Sequence, residues 1–309
     1  MASTKKQAFL SVKDSARNYL LHLKNHRKLE RNTVFHYGHD LLLFIKFVGH
    51  VERKSPSKID IKDISQKHVI AFLDNQTHRR KNKASSNRRR LACLRGFFRY
   101  MSQKGEQKPI LIPFPTQKEK PPAILSEDEI TDLLRASRSS APNPIRDYAI
   151  LCVFLYCGCR LSELLRLNTD DVNFDKEYIC FYHSDGTERY VPLSVKVQDA
   201  LKAYMSSRPK SSSSRLFLNR YYRPITKGAV YHSFYKCLYS AGIRRQEITI
   251  HSLRQTFLVS LLHEGKLTRD QVQDIAGTRC EASIRPYLKA CDQLREDRNS
   301  YKQNRKKKK

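Results

Sequence analysis

The sequence predicts a mainly α-helical protein with one small β-hairpin, divided into two domains. Three observations support this prediction. Apolar residues recur at helical spacing through residues 9–105 and again through most of the chain after residue 126. A proline-rich stretch at 106–122 interrupts that pattern. Two short β-type runs, 178–183 and 188–192, flank an Asp-Gly turn signal and predict the hairpin.

The first 105 residues predict four helices that form one helical domain. Asn32 or Thr33 is a candidate cap for the second helix, and the fourth starts near residues 85–87. Each helix is predicted from apolar residues that recur at helical spacing: Phe9, Val12, Ala16, Tyr19, Leu20 and Leu23 in the first, Tyr37, Leu41, Phe44, Ile45 and Val48 in the second, Val69, Ile70, Phe72 and Leu73 in the third, and Leu91, Leu94, Phe97, Phe98 and Tyr100 in the fourth.

Residues 106–122 predict a semi-extended linker, because proline cannot continue a helix. A second domain, 123–295, opens with a capping-box pattern from Ser126 to Glu129. It continues with a buried helix at about 146–156, a short helix ending near residue 167, the hairpin, and further helices. Residues 296–309 form a basic C-terminal tail.

The charge of the chain predicts a polyanionic partner. The formal net charge is +29, and residues 1–120 hold 27 Lys or Arg against 9 Asp or Glu, a balance of +18. Nucleic acid is the first candidate and an acidic membrane surface the second, although no apolar run approaches the ~20 residues of a membrane-spanning helix. Like charges repel unless a counter-charge is expected, so clustered arginines predict contact with double-stranded DNA: Arg88, Arg89, Arg90 and Arg95.

The eight cysteines predict a reducing compartment. None forms a Cys-x-x-Cys pair, and most stand in apolar segments as small core residues. Cys157 and Cys159 have no matching pair downstream, so no metal and no cofactor is expected. The expected location is the cytoplasm, in association with DNA.

Three distant segments supply side chains suited to cleaving a phosphodiester. Arg160 stands at a turn before an amphipathic run, His251 and Arg254 are spaced i and i+3 on a predicted helix, and Tyr287 follows the Gly277 break. Two guanidinium groups match the charge and geometry of a phosphoryl transition state. An imidazole can move a proton or orient the nucleophile, and a phenol can attack phosphorus. The pattern predicts a covalent phosphotyrosyl intermediate that needs neither metal nor ATP.

With these motifs the sequence resembles the tyrosine recombinases of the phage integrase family, in an Xer-like, small-integrase layout. The resemblance covers nearly the whole chain through several motifs in order: 32–44, 87–100, 146–149, 158–167, 216–226, 251–257 and 277–287. It implies a SAM-like helical core-binding domain and an α+β catalytic domain. It also implies site-specific recombination through 3′-phosphotyrosyl DNA cleavage and religation, by a homo- or hetero-tetramer of protomers on DNA.

Two positions depart from the family pattern. Relatives carry a lysine in the catalytic-domain hairpin that protonates the leaving 5′ oxygen, and its position here falls near Ser184. Relatives also carry His or Trp where this chain has Thr278, which can still donate a hydrogen bond. Loss of a general acid slows a reaction by roughly 10²–10⁴, so we expect an attenuated enzyme in which a nearby cation substitutes: His183, Arg189 or Lys176.

Two other functions remain open at this point. One is a non-catalytic or weakly catalytic DNA-binding accessory protein derived from a recombinase. The other is a type IB topoisomerase-like nicking enzyme, which shares the chemistry but needs no defined target sequence. The helical N-terminal half favours the recombinase over the topoisomerase.

Overall fold

The computed structural model describes residues 9–79, 84–112, 121–139, 141–183, 186–278 and 283–292. The chain divides into two compact units, Met1–Gln117 and Lys118–Lys309. The mainly helical fold class with a small antiparallel sheet is confirmed. In the part of the chain that is described, no helix is both long enough and apolar enough to cross a membrane.

The N-terminal unit is built from four helices: α1 Val12–Asn25, α2 Arg31–Val51, α3 Gln66–Asp74 and α4 Ala84–Gln103. Their apolar faces enclose one core that includes Phe44, Phe72, Phe97 and Phe98. The predicted cap of α2 is wrong: Glu30 stands at the N-cap without a side-chain hydrogen bond, one residue before Arg31. Asn32 and Thr33 therefore lie inside the first turn of α2.

The beginning of the predicted linker packs against the N-terminal unit. The Gln107 side-chain amide donates to the backbone carbonyls of Ile61 and Ile64, the second at 2.8 Å. Ile112 is buried in the same core. These two hydrogen bonds and the burial of Ile112 hold the start of the stretch against the N-terminal core, which the linker prediction did not anticipate. The remainder of that stretch, 113–120, lies outside the described residues.

The second unit combines helices with a three-stranded antiparallel sheet in the order β1–β2–β3. The helices are α5 Glu127–Ser139, α6 Pro144–Cys157, α7 Leu161–Leu164, α8 Val195–Ser207, α9 Lys227–Ser240, α10 Ile250–Glu264 and α11 Arg269–Ala276, and the strands are β1 Val172–Asn173, β2 Tyr178–Tyr182 and β3 Glu188–Pro192. The predicted capping box is present, because Ser126 and Glu129 exchange hydrogen bonds of 2.9 and 3.1 Å.

Two apolar clusters support this unit. The larger surrounds α6, which is buried along most of its length. The smaller joins the second half of α10, α11 and a last helical segment at 285–292. The seven described cysteines are buried and form no disulfide among themselves. Cys280 lies outside the described residues.

Candidate active site

Arg160 is positioned by the sharp turn that ends α6. Gly158 caps this helix in the left-handed region, at φ +57°, which an L side chain adopts only with strain. A Cβ at this position would also overlap the ring of Phe257. Arg160 then becomes the N-cap of α7, and its backbone N–H donates to Glu163 Oε2 at 2.7 Å. The turn therefore fixes where the Arg160 side chain starts.

Two further bonds fix the Arg160 guanidinium. Nη1 donates to Glu163 Oε1 at 2.9 Å, and Nη2 donates to the Gly277 carbonyl at 2.9 Å. The side chain nevertheless remains 37% exposed, so one edge of the cation is open to a ligand. The Arg160 guanidinium is thus held in one position by hydrogen bonds and is still accessible from solvent.

Glu163 is the anion that holds this cluster together. Its side chain is 1% exposed, and Arg189 Nη2 donates to its Oε2 at 2.7 Å. Burial alone raises the pKa of Glu163, but the charges and hydrogen bonds of Arg189 and Arg160 outweigh it and hold the pKa below the ordinary 4.5. A buried carboxylate between two guanidinium groups therefore stays ionised at neutral pH.

Arg254 connects three separate segments. Its Nη1 donates to the carbonyl of Gly158 and its Nη2 to the carbonyl of Ala276. Burial, followed by repulsion from Arg160 and Arg189, lowers its pKa to about 10. The group is still cationic at neutral pH, and the repulsion shows that a further anion is favoured here. The α6–α7 turn, α10 and the end of α11 meet at this side chain.

His251 lies one helical turn before Arg254, at the exposed start of α10. Loss of hydration around the ring, followed by the charges of Arg254 and Arg160, lowers the pKa of His251 below 6.5. The imidazole is therefore mainly neutral near pH 7, the form that accepts a proton. The prediction that His251 and Arg254 share a helix is confirmed.

His183 joins the same cluster from the end of β2. Its Nδ1 lies 3.3 Å from Arg160 Nη1 and 3.7 Å from Glu163 Oε1. Its Nε2 would be only 2.5 Å from a Cβ at Gly277, so the ring packs closely on that glycine. Half-buried Thr278 follows directly and lines one cleft together with His183. The hairpin therefore brings an imidazole into the site.

Tyr287 lies next to the cluster rather than in contact with it. Its ring packs against the small core that contains Phe257 and Ala276, and its backbone N–H donates to Ile284 at 2.9 Å. Within the described part of the chain, the structure brings Arg160, His251 and Arg254 together and places Tyr287 on the adjoining helical segment. No contact recorded there joins the phenol to the arginines.

Two of the predicted substitutes for the missing lysine do not reach the opening of the site. Lys176 is exposed in the turn between β1 and β2. The five residue steps of extended chain from Tyr178 to His183 span about 17 Å, which separates that turn from the β2–β3 turn. Arg189 does reach Glu163, but it is buried and its Nη1 also donates to the Ile275 carbonyl at 2.6 Å. Arg189 therefore supports the cluster from inside.

The four predicted DNA-contacting arginines have different environments on α4. Arg88 is exposed and Arg95 is half-buried. Arg89 makes a two-point ion pair with the buried Asp40, at 2.9 and 2.8 Å. Arg90 is 7% exposed, and its Nε lies 3.5 Å from Asp40. Two of the four thus pair with a buried carboxylate, whereas the side chain of Arg88 is exposed.

Sequence reasoning missed Glu163 and Gly277. The i, i+3 spacing of Arg160 and Glu163 at a helix start is a capping pattern and was a usable signal. The role of the Gly277 carbonyl had no such signal, because its partner lies 117 positions earlier in the chain. Among the described residues, no cluster of three His, Cys, Asp or Glu side chains is arranged to hold a metal.

Comparisons with known proteins agree with this geometry. The model of the "Phage integrase family" matches residues 123–293, and that of the "Phage integrase, N-terminal SAM-like domain" matches residues 16–105. A tyrosine recombinase of Pseudothermotoga lettingae is 30% identical over 285 residues, covering 91% of this chain and 94% of its own. Tyrosine recombinase XerC of Caldanaerobacter subterraneus subsp. tengcongensis is 28% identical, with coverage of 86% and 80%.

Solved structures share the fold at lower identity. A XerH site-specific recombinase bound to a palindromic difH substrate, in a post-cleavage complex, superposes with a TM-score of 0.71. It is 19% identical, and the match covers 94% of this chain and 84% of that one. A lambda integrase fragment bound to a COC′ core site gives a TM-score of 0.70 at 17% identity, with coverage of 90% and 95%.

Proposed function

Because the chain belongs to the phage integrase family of tyrosine recombinases, it is a DNA strand-cleaving and rejoining enzyme, and we propose that Tyr287 is its nucleophile. Arg160, Arg254 and His251 form the phosphate site into which Tyr287 delivers its phenol oxygen. The observation that supports this proposal is the convergence of those three side chains where the α6–α7 turn, α10 and the end of α11 meet.

Each group has a role that follows from its environment. The exposed edge of Arg160 binds a non-bridging phosphate oxygen, and Arg254 places a second positive charge behind it. His251, mainly neutral, accepts the phenol proton as the Tyr287 oxygen attacks phosphorus. The product is a 3′-phosphotyrosyl link, which preserves the bond energy for religation.

The substrate of this reaction is double-stranded DNA. Relatives of the same fold are named as complexes with a difH substrate and with a COC′ core site. The net charge of +29 supplies the phosphate affinity, and Arg88 and Arg95 on α4 provide surface contacts in the N-terminal unit. We further propose that four protomers act together, that partners are copies of this chain or a related recombinase, and that the protein works in the DNA-containing cytoplasm.

Trapping the covalent intermediate tests this function. A binding site selected from a random DNA pool is rebuilt with a nick beside the cleavage position, so that the released fragment diffuses away and the adduct accumulates. We expect a protein–DNA adduct on denaturing electrophoresis, and none with Tyr287→Phe. Tyr239→Phe is the matched control, because this exposed tyrosine lies on α9 and its ring contact with Arg244 survives the change.

Three outcomes contradict the proposal. An adduct that persists in Tyr287→Phe means that another residue is the nucleophile. Selective DNA binding without an adduct in any form identifies the accessory, non-cleaving protein instead. Relaxation of supercoiled DNA with no preferred sequence identifies a topoisomerase-like activity.

A further inference from the structure

Cleavage also requires a proton for the leaving 5′ oxygen, and the hairpin lacks the lysine found in relatives. We infer that His183 is the general acid of this enzyme. The inference rests on the proposed function and names one more residue of the same site.

His183 occupies a defined position at the start of the β2–β3 turn. Its backbone N–H donates to the Thr187 carbonyl at 2.8 Å, and its own carbonyl accepts from Gly186 N–H at 3.2 Å. These bonds place the ring on the side of the hairpin that faces Arg160 and Gly277. The side chain is 22% exposed, so it is held by packing and still meets solvent.

The ring borders an open cleft of about 470 Å³ whose lining includes Arg189, Gly277 and Thr278. Arg160, which also bonds Gly277, therefore lies at the edge of the same space. A phosphate held by Arg160 is consequently within the neighbourhood of the imidazole. Arg189 also lines this cleft, but its guanidinium is held by Glu163, the Ile275 carbonyl and the Phe181 ring and is only 4% exposed, and Lys176 is at the far turn.

The charges that face His183 come from several elements. Arg160 and Arg189 are cationic, while Glu163 on α7 is anionic. Asp274 on α11 and Glu188 on β3 line the same cleft. Nδ1 of His183 faces both Arg160 Nη1 and Glu163 Oε1, and it accepts from Arg160 only when a neutral ring carries its proton on Nε2. The negative charge of a bound scissile phosphate offsets the repulsion that Arg160 exerts on an imidazolium at this position.

The Tyr287 oxygen forms a bond to phosphorus, its proton passes to His251, and the bond from phosphorus to O5′ breaks. The electron pair of that bond goes to O5′, which takes a proton from the His183 imidazolium and leaves as a 5′-hydroxyl. Religation reverses each transfer, because the attacking 5′-hydroxyl returns its proton to His183.

A substrate with sulfur in place of the leaving O5′ tests this role directly. A thiol has a pKa of about 8.5, so a thiolate leaves without protonation whereas an alkoxide does not. On ordinary DNA we expect His183→Ala to cleave roughly 10²–10⁴ times more slowly than the parent protein. On the sulfur-substituted DNA the two proteins are expected to cleave at rates within about one order of magnitude, since no acid is needed.

Three variants separate the possible explanations. His232→Ala removes an exposed histidine of α9 and is expected to leave both rates unchanged. Arg160→Ala removes the phosphate ligand and is expected to stay slow on both substrates. Tyr287→Phe is expected to cleave neither; if it cleaves, the proposed function fails whatever His183 does. Thermal unfolding and DNA binding of His183→Ala confirm that the variant is folded.

Two results overturn the inference. The first is a parental cleavage rate for His183→Ala on ordinary DNA. The second is a slow His183→Ala that sulfur does not rescue, which would make His183 a positioning residue for Arg160.

The pH profile gives an independent readout. The parent rate on ordinary DNA is expected to fall as rising pH deprotonates the imidazole, and that decline is expected to disappear on the sulfur substrate.

Discussion

Arg160 Nη2 donates a 2.9 Å hydrogen bond to the Gly277 carbonyl, which ties the α6–α7 turn to the end of α11. Arg254 connects the same two places through Gly158 and Ala276. Both guanidinium groups donate some of their N–H groups to backbone carbonyls. These hydrogen bonds fix the orientation of the N–H groups that remain. The proposed phosphate site is therefore built by the same hydrogen bonds that join the smaller apolar cluster, against which Tyr287 packs, to the α6–α7 turn.

Gly277→Ala is expected to impair cleavage more than folding. An added Cβ would lie 2.5 Å from His183 Nε2 and 2.6 Å from Arg189 Cδ, so the imidazole must move away from Arg160. We expect adduct formation to slow by about 10-fold or more, since misplacing a catalytic group by about 1 Å costs up to roughly 10². The measurement is the single-turnover cleavage rate, alongside DNA affinity.

Gly242→Ala is the matched control for that change. Gly242 also has a positive φ, +74°, but its Cβ would meet nothing within 4 Å. Both variants carry the left-handed backbone strain of about 1–2 kcal/mol. Equal cleavage by the two alanine variants would show that the packing of His183 on Gly277 has no catalytic consequence.

Glu163→Gln is expected to destabilise the second unit strongly. The change leaves Arg160 and Arg189 without their shared buried anion, and breaking such a pair typically costs about 3–5 kcal/mol. The folded-state pKa of Glu163 lies below 4.5, so the stabilisation is present above that pH and is lost as pH falls through the folded-state value. Urea unfolding at pH 7 and in acid measures both effects.

Glu129→Gln provides the surface comparison. Its partner Arg245 is 42% exposed, and such pairs contribute at most about 1 kcal/mol. If Glu163→Gln loses no more stability than Glu129→Gln, or keeps the acid sensitivity of the parent, Glu163 is not the anchor of the cluster.

The sequence predicted what depends on local spacing. Helical periodicity placed His251 and Arg254 on one face of α10, because residues three apart are neighbours in a helix. The prediction for the α2 cap was wrong, since Asn32 and Thr33 offered suitable oxygens but the chain already turns at Glu30. Capping residues near a helix start compete within a few positions, and tertiary packing decides among them.

Contacts between distant segments could not be predicted in the same way. From the sequence, Gln107 is an ordinary polar residue of a linker. Its position is explained only by the structure, in which its side-chain amide donates to the backbone carbonyls of Ile61 and Ile64. Likewise, the sequence shows Arg90 only as one member of a run of basic residues. The structure shows that it lies beside the buried Asp40, fifty positions earlier in the chain. Charge composition predicts a polyanion partner, but the partner of each arginine depends on the fold.

Arg88 and Arg90 are expected to respond differently to alanine substitution. Arg88 is exposed, so Arg88→Ala should weaken DNA binding and reduce the slope of log affinity against log salt by about 1. Arg90→Ala should instead lower the stability of the N-terminal unit by about 1–3 kcal/mol, because Asp40 loses a buried cation. Salt titrations of DNA binding and chemical unfolding of both variants distinguish the two roles. An unchanged salt slope for Arg88→Ala would show that Arg88 does not contact DNA.

His251 is expected to titrate below pH 6.5 in the unbound protein, because reduced hydration and two guanidinium groups disfavour its charged form. NMR titration of the imidazole measures this pKa. Arg160→Ala removes one of the repelling charges, so the pKa of His251 should rise toward 6.5, whereas Arg244→Ala, in the loop after α9 where Arg244 stacks on Tyr239, should leave it unchanged. Unlike Arg160, Arg244 is not among the charges that act on His251. A His251 pKa at or above 6.5, or a pKa that Arg160→Ala leaves unchanged, would contradict this prediction. The imidazole would then not be kept neutral by Arg160 and Arg254, and the physical reason for assigning it the phenol proton would be lost.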